Sequence, residues 1–181
     1  MTTLEQLTGT YTIDPTHSRI GFVTRHAMVT KVRGSFNDFE GTATTGADLA
    51  DTSIDLTAQV ASIDTRNADR DQHLKAGDFF GADEFPTLTF RSTQVTATDA
   101  DTLRVTGDLT IKGTTRPVTV DFDFEGAATD PFGNERIGFE GRTSINRSDF
   151  GLTFNAALET GGVLVSEKVE LEFEVSAIKN A

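Results

Sequence analysis

Two stretches, Val118 to Glu125 (Val-Thr-Val-Asp-Phe-Asp-Phe-Glu) and Val169 to Ser176 (Val-Glu-Leu-Glu-Phe-Glu-Val-Ser), alternate apolar and polar residues without a break. Side chains of a strand point to opposite faces with period two, so this pattern commits the chain to strands with one dry face and one wet face. Val118, Val120, Phe122 and Phe124 form one apolar stripe, and Val169, Leu171, Phe173 and Val175 form another. The intervening acids, Asp121 and Asp123 against Glu170, Glu172 and Glu174, would repel if the two strands paired directly. The segment carrying Arg142 is therefore expected between them.

Strand-like segments recur along the chain, roughly at Thr10–Asp14, Arg19–Met28, Lys31–Thr45, Ser53–Thr65, Thr87–Thr98, Leu103–Lys112, Thr115–Ala128, Glu135–Arg147 and Leu164–Ala177. The turns between many of them suit hairpins and are too short for parallel crossovers, which predicts an antiparallel meander. Several segments exceed the usual strand length of about five or six residues, and long sequential strands favour a closed up-and-down barrel over a sandwich. Gly34, Gly41, Gly107, Gly138 and Gly141 interrupt strand patterns and are expected at bulges and barrel corners. One segment, Arg66–Ala76, reads as a short helix with Thr65 or Asn67 as its cap and Gly77 as its stop. The adjacent Phe79 and Phe80 would be costly on a water-facing loop and are expected as a plug under that helix or at a barrel mouth. No repeat or linker divides the 181 residues, so a single domain is expected over 1–181, with the ordered barrel at about 10–178.

Fourteen Phe stand against one Tyr and no Trp, so nearly every large ring lacks a polar handle. A net charge of −12 opposes nucleic-acid phosphates and anionic lipid surfaces alike; nucleic acid is not an expected partner. The absence of cysteine excludes disulfides and a thiol nucleophile. Nothing in the chain is apolar enough to span a bilayer. Met1 to Gln6 lacks signal-peptide features, so the expectation is a cytoplasmic protein, or an exported one if a leader has been removed.

Few residues suggest chemistry. His17 and Ser18 are strand neighbours facing opposite ways, and Asp14 to Ser18 reads better as an Asx or Ser/Thr turn than as a catalytic dyad. His26 shares the phase of Ile20 and Phe22, which points its imidazole to the dry side. It could serve there as a core histidine bonded to protein, a contact to a ligand head group, or a metal or catalytic group. Asp69 and His73 stand four apart on the helix, within reach of each other. Arg147 keeps the inward parity of Ile137, Phe139 and Ile145, with Asp149 or an anionic head group as its partner. The three His have no zinc spacing, no cofactor motif is present, and no enzyme is expected.

Ordered motifs run through nearly the whole chain: Tyr11-x-Ile13-Asp14-Pro15-x-His17-Ser18, Phe22 and His26, Gly34-x-Phe36, Ile63-Asp64-Thr65, Arg70-Asp71-x-His73-Leu74, Asp78-Phe79-Phe80, Phe85-Pro86-Thr87-Leu88-Thr89-Phe90, Gly107-x-Leu109-Thr110-Ile111-x-Gly113-x-Thr115 and Arg147-Ser148-Asp149-Phe150-Gly151. In this order they resemble the YceI-like family of polyisoprenoid-binding, lipocalin-like proteins. The resemblance implies an all-β, eight-stranded antiparallel up-and-down barrel holding an isoprenoid or other long-chain lipid, without catalysis or cofactor, and in many members a homodimer. Phe22, His26, Phe36, Leu74, Phe79, Phe80, Phe90 and Arg147 are the positions it assigns to the cavity or its mouth. Phe122, Phe139, Leu171 and Phe173, inward by parity, and Phe154 complete the expected ligand-binding set. The same stripes would also suit a filled core in a structural or protein-interaction β-module, and His26 is the only handle for a haem, metal or enzyme alternative.

Overall fold

The alternating segments are strands of one antiparallel sheet that closes on itself. The computed structural model describes residues 2–159 and 161–181. In chain order the elements are β1 (Gly9–Ile13), β2 (Arg19–His26), β3 (Thr30–Phe36), β4 (Phe39–Thr45), β5 (Ser53–Gln59), β6 (Ile63–Asp64), α1 (Ala68–Lys75), β7 (Thr87–Ala97), β8 (Thr102–Ile111), β9 (Thr114–Thr129), β10 (Glu135–Asn146) and β11 (Lys168–Lys179).

Three pairs of short strands each act as one long strand. β1 and β2 pair with the C-terminal and N-terminal parts of β11 and are joined by a bend at Asp14–Ser18. β3 with β4, and β5 with β6, are broken in the same way at Asn37–Asp38 and Val60–Ser62. Counted so, the sheet is a closed eight-stranded barrel in meander order, sealed by β11 against β1 and β2. The expected continuous strands at Lys31–Thr45 and Ser53–Thr65 are thus each kinked once. At the first bend the Asp14 carboxylate accepts hydrogen bonds from the Thr16 amide and from His17 Nδ1, which makes it the turn expected there.

β10 lies between the two acidic strands, as their charge demanded. Arg142 stands opposite Asp121 on one side and Glu172 on the other. Glu140, opposite Asp123 and Glu174, is left facing acids on both sides.

The strand glycines follow the expectation only in part. The sheet's register shifts fall at Gly138/Phe139 and at Ser92/Gln94, where Ser92 pairs with Gly107, so Gly107 and Gly138 of the five sit at bulges. A Cβ on Gly34 would collide with the ring of Phe22, one on Gly107 would lie 2.5 Å from Phe90, and one on Gly141 would lie 2.6 Å from Phe122. Gly41 is covered in the same way by Ile13. These glycines let large side chains settle against the barrel wall.

The base of the barrel is closed by a 3-10 turn at Leu4–Gln6, whose Leu4 is buried with Leu7, Tyr11, Ile137 and Ala177. The opposite end carries α1, the β2–β3 hairpin and the β10–β11 connection. α1 starts at Asn67, whose side chain accepts from the Arg70 amide, and no residue in it is fully buried. Its place is fixed by polar bonds: Asp71 accepts from the amide and hydroxyl of Thr65, and Arg70 donates to the Thr65 hydroxyl and carbonyl.

The β2–β3 hairpin turns through Ala27 and Met28, with φ of 50° and 64°. Both central residues lie in the left-handed region, the geometry that suits Asn-Gly and costs other residues on the order of 1 kcal/mol each.

Candidate functional site

Inside the barrel is an elongated cavity of about 270 Å3 that runs from Leu7 and Leu49 at the base to Leu74 of α1 and to Phe79 and Phe80 just after it. Its wall is apolar almost throughout. Rings follow one another along it, with centroid separations of 6.4 Å for Phe139 and Phe122 and 5.8 Å for Phe122 and Phe173. On the neighbouring strands β2 and β3 Phe22 meets Phe36 at 5.8 Å, and Phe36 meets Phe80 edge-on at 5.9 Å.

Phe22, Phe90, Phe122, Phe139, Leu171 and Phe173 all face inward yet are only partly buried. Inward side chains in a filled core are fully covered; these border open space. The few polar side chains on the wall include threonines that are hydrogen-bonded to other side chains. Thr45 and Thr52 share a hydrogen bond of 3.0 Å, and Thr24 bonds Ser166 at 2.8 Å.

The mouth is organised by Arg147, which is 4% exposed. Its Nε donates to the Ser166 carbonyl at 2.8 Å, Nη1 to those of Leu152 at 2.6 Å and Phe154 at 2.9 Å, and Nη2 to that of Val165 at 3.3 Å. Among the described residues it makes no ion pair. Burial lowers its pKa, partly opposed by the charge of Glu167. The expected pairing with Asp149 does not form, since that residue's side chain is exposed and only its carbonyl is engaged, by Arg116. The guanidinium instead folds the β10–β11 connection over the barrel and leaves a positive charge beside an apolar chamber.

Residues 11–177 match the YceI-like domain family. The chain belongs to the YceI-like family. A UPF0312 protein of Staphylococcus aureus strain N315 is 44% identical over 171 residues, covering 92% of this chain and 95% of that protein. The crystal structure of BcnA from Burkholderia cenocepacia superposes with a TM-score of 0.79 at 26% identity, over 91% of this chain and 98% of that one. A domain from Saccharophagus degradans described as polyisoprenoid-binding shares the fold alone, at 16% identity and a TM-score of 0.73, over 94% of this chain and 98% of that domain.

In this YceI-like barrel the residues expected from the sequence divide into three groups. Phe22, Phe36, Phe90, Phe122, Phe139, Leu171 and Phe173 stand on the barrel wall around the cavity, and Leu74, Phe79, Phe80 and Arg147 stand at its mouth. His26 and Phe154 are outside it. His26 is exposed at the end of β2, bridged to Val165, because its strand outruns the barrel and inward parity there has no interior to point into. Phe154 packs on the outer side of the mouth against Phe79 and His73, with centroids at 4.9 and 5.0 Å. His73 pairs with Asp78 at 3.0 Å, while its expected partner Asp69 makes no such bond; that hydrogen bond holds the Asp78 carboxyl below its ordinary pKa. Among the described residues no group of three His, Cys, Asp or Glu is placed to hold a metal. The YceI-like cavity also uses Leu7 and Leu49 at its base and Val165 in the mouth connection, which lie in turns and irregular segments without the alternation that reveals strand residues.

Proposed function

We propose that the chain is a non-catalytic binding protein that carries or sequesters a long-chain isoprenoid or similar amphiphilic lipid inside the barrel. The observation that carries this reading is the set of inward, partly buried rings around a continuous apolar cavity. Their exposure disfavours a filled-core interaction module. The description of the Saccharophagus domain as polyisoprenoid-binding agrees with it.

Burying hydrocarbon contributes about 0.8 kcal/mol per CH2, so each five-carbon unit of a prenyl tail that enters supplies several kcal/mol. The tail supplies affinity with little selectivity, because an apolar wall distinguishes one hydrocarbon from another weakly. Discrimination falls to the polar end of the ligand at the mouth. There the charge of Arg147, bonded only to carbonyls, favours an anionic or acceptor-rich head group.

Organic extraction of the purified protein followed by mass spectrometry tests the reading directly. The expected result is a recovered long-chain lipid, together with a rise in melting temperature when a prenol is added to stripped protein. Repeated recovery of no lipid, with no prenyl lipid raising the melting temperature, would overturn it.

A further inference from the structure

The tip of the β2–β3 hairpin combines features that its own stability opposes. Met28 is 59% and Val29 74% exposed, and Val163 on the neighbouring mouth connection is 39% exposed. The two tips touch, since a Cβ on Gly162 would collide with Met28 Sδ. The turn holds Ala27 and Met28 at positive φ, where Asn-Gly would sit without strain. Immediately below it, Arg25 and Lys31 are directly opposed across the hairpin, and neither makes an ion pair among the described residues. From Pro15 to Asn37 the chain has Arg19, Arg25, Lys31 and Arg33 and no acid, in a protein of net charge −12. Backbone strain, apolar exposure and opposed cations coincide at one place, beside the cavity mouth lined by Thr24 and Val165.

We propose that this tip docks on an anionic lipid bilayer, with Met28, Val29 and Val163 entering the head-group layer and Arg25 and Lys31 meeting lipid phosphates. Exposed apolar side chains beside clustered cations fit such a surface. The acids elsewhere on the barrel do not cancel this attraction, because charges more than a Debye length of about 8 Å away are screened. The nearer acids are Glu159 on the adjoining turn, Glu167, engaged by the Ser148 amide, Glu170, opposite Val23 on β11, and Glu172. Glu172 pairs with Arg19 and Arg33, which leaves Arg25 and Lys31 as the unpaired cations of the hairpin among the described residues. A second copy of the chain fits less well, since a two-fold contact through the tip would set Arg25 and Lys31 against their own copies. The purpose of docking, exchange of a lipid through the mouth, rests on the lipid-binding reading of the cavity. Vesicle flotation reports docking whether or not the cavity is filled, so the two fail separately.

The test is flotation of the full chain with vesicles of phosphatidylcholine alone and of phosphatidylcholine mixed with phosphatidylglycerol. Binding is expected to the mixed vesicles only and to weaken with salt. Arg25→Glu with Lys31→Glu, and separately Met28→Asp with Val29→Asp, should each lower it by roughly tenfold or more. Ala27→Asn with Met28→Gly relaxes the turn; it should raise the melting temperature while lowering binding, which separates docking from damage to the fold. Absence of wild-type binding to mixed vesicles at low salt, or undiminished binding by these variants, would overturn the proposal. A change in sedimented mass from the tip variants, with no change in flotation, would overturn it in favour of a self-association face.

Discussion

The ring of Phe122 on β9 covers Gly141, its direct partner on β10. Phe22 covers its partner Gly34 in the same way, and Phe90 reaches diagonally over Gly107. A glycine inside a strand sacrifices packing and conformational entropy, and a neighbouring ring laid over it restores the contact. The consequence here is a wall built of aromatic rings with volume left along the axis.

Gly141→Val should therefore act on the cavity as well as on stability. The added branches would drive the Phe122 ring inward, and overpacking of this kind costs about 1–3 kcal/mol. Urea denaturation should show that loss, and extraction should recover less lipid per protein than from the wild type. A variant with unchanged stability and unchanged lipid content would show that the ring is not held by this contact.

Arg147→Met should loosen the mouth without dissolving the barrel. It removes the Arg147 donors from the carbonyls of Leu152, Phe154 and Ser166, and from that of Val165, which keeps Asn155 Nδ2; each carbonyl left buried without a partner costs about 1–3 kcal/mol. Hydrogen exchange should accelerate in the β10–β11 connection while amides of β8 and β9 keep their protection. Arg147→Lys should not restore the mouth, since an ammonium cannot reproduce the planar donor fork. Equal acceleration across the whole barrel would instead make Arg147 a global core residue.

What the sequence revealed, and where it stopped, follows from periodicity. Phe122, Leu171 and Phe173 were legible because period-two alternation is unbroken through Val118–Glu125 and Val169–Ser176, and Phe139 because it shares the parity of Ile137 and Ile145. His26 misled for the same reason: its parity is correct, but no pattern in the sequence marks where the barrel wall ends. The breaks at Asn37–Asp38 and Val60–Ser62 were hidden because a kinked strand resumes its alternation within a few residues. The role of the glycines depended on which ring lay across the sheet, a fact of register between strands distant in sequence. Arg147 was identified as an inward group, but its partners are backbone carbonyls, and these leave no trace in residue identity.

Leu4→Ala should destabilise the protein by about 2–4 kcal/mol, as expected for a leucine to alanine change at a closed site. Leu4 is 1% exposed and packs with Tyr11 and Ile137 at the base, so the change should lower the melting temperature without altering secondary structure by circular dichroism. A change near zero would mean that the base remains closed without this side chain.

The acid limb of the stability curve should trace to a clamp at the same base. Arg136 Nη1 donates to Asp14 and its Nε to Asp130, each at 2.7 Å, joining the β1–β2 bend to the β9–β10 hairpin. These bonds hold both carboxyls well below the usual carboxylate range, with Arg136 the largest cause in each case. An unfolded Asp titrates near about 3.9, so the two groups contribute stability that is complete above that pH. As pH falls further, toward and through the folded-state values, the unfolded chain binds protons first and the contribution is lost. Arg136→Gln should lower stability at neutral pH and flatten the decline below about pH 4, measured as urea midpoints across acid pH. An acid limb with the same slope in both proteins would assign acid unfolding to other carboxylates.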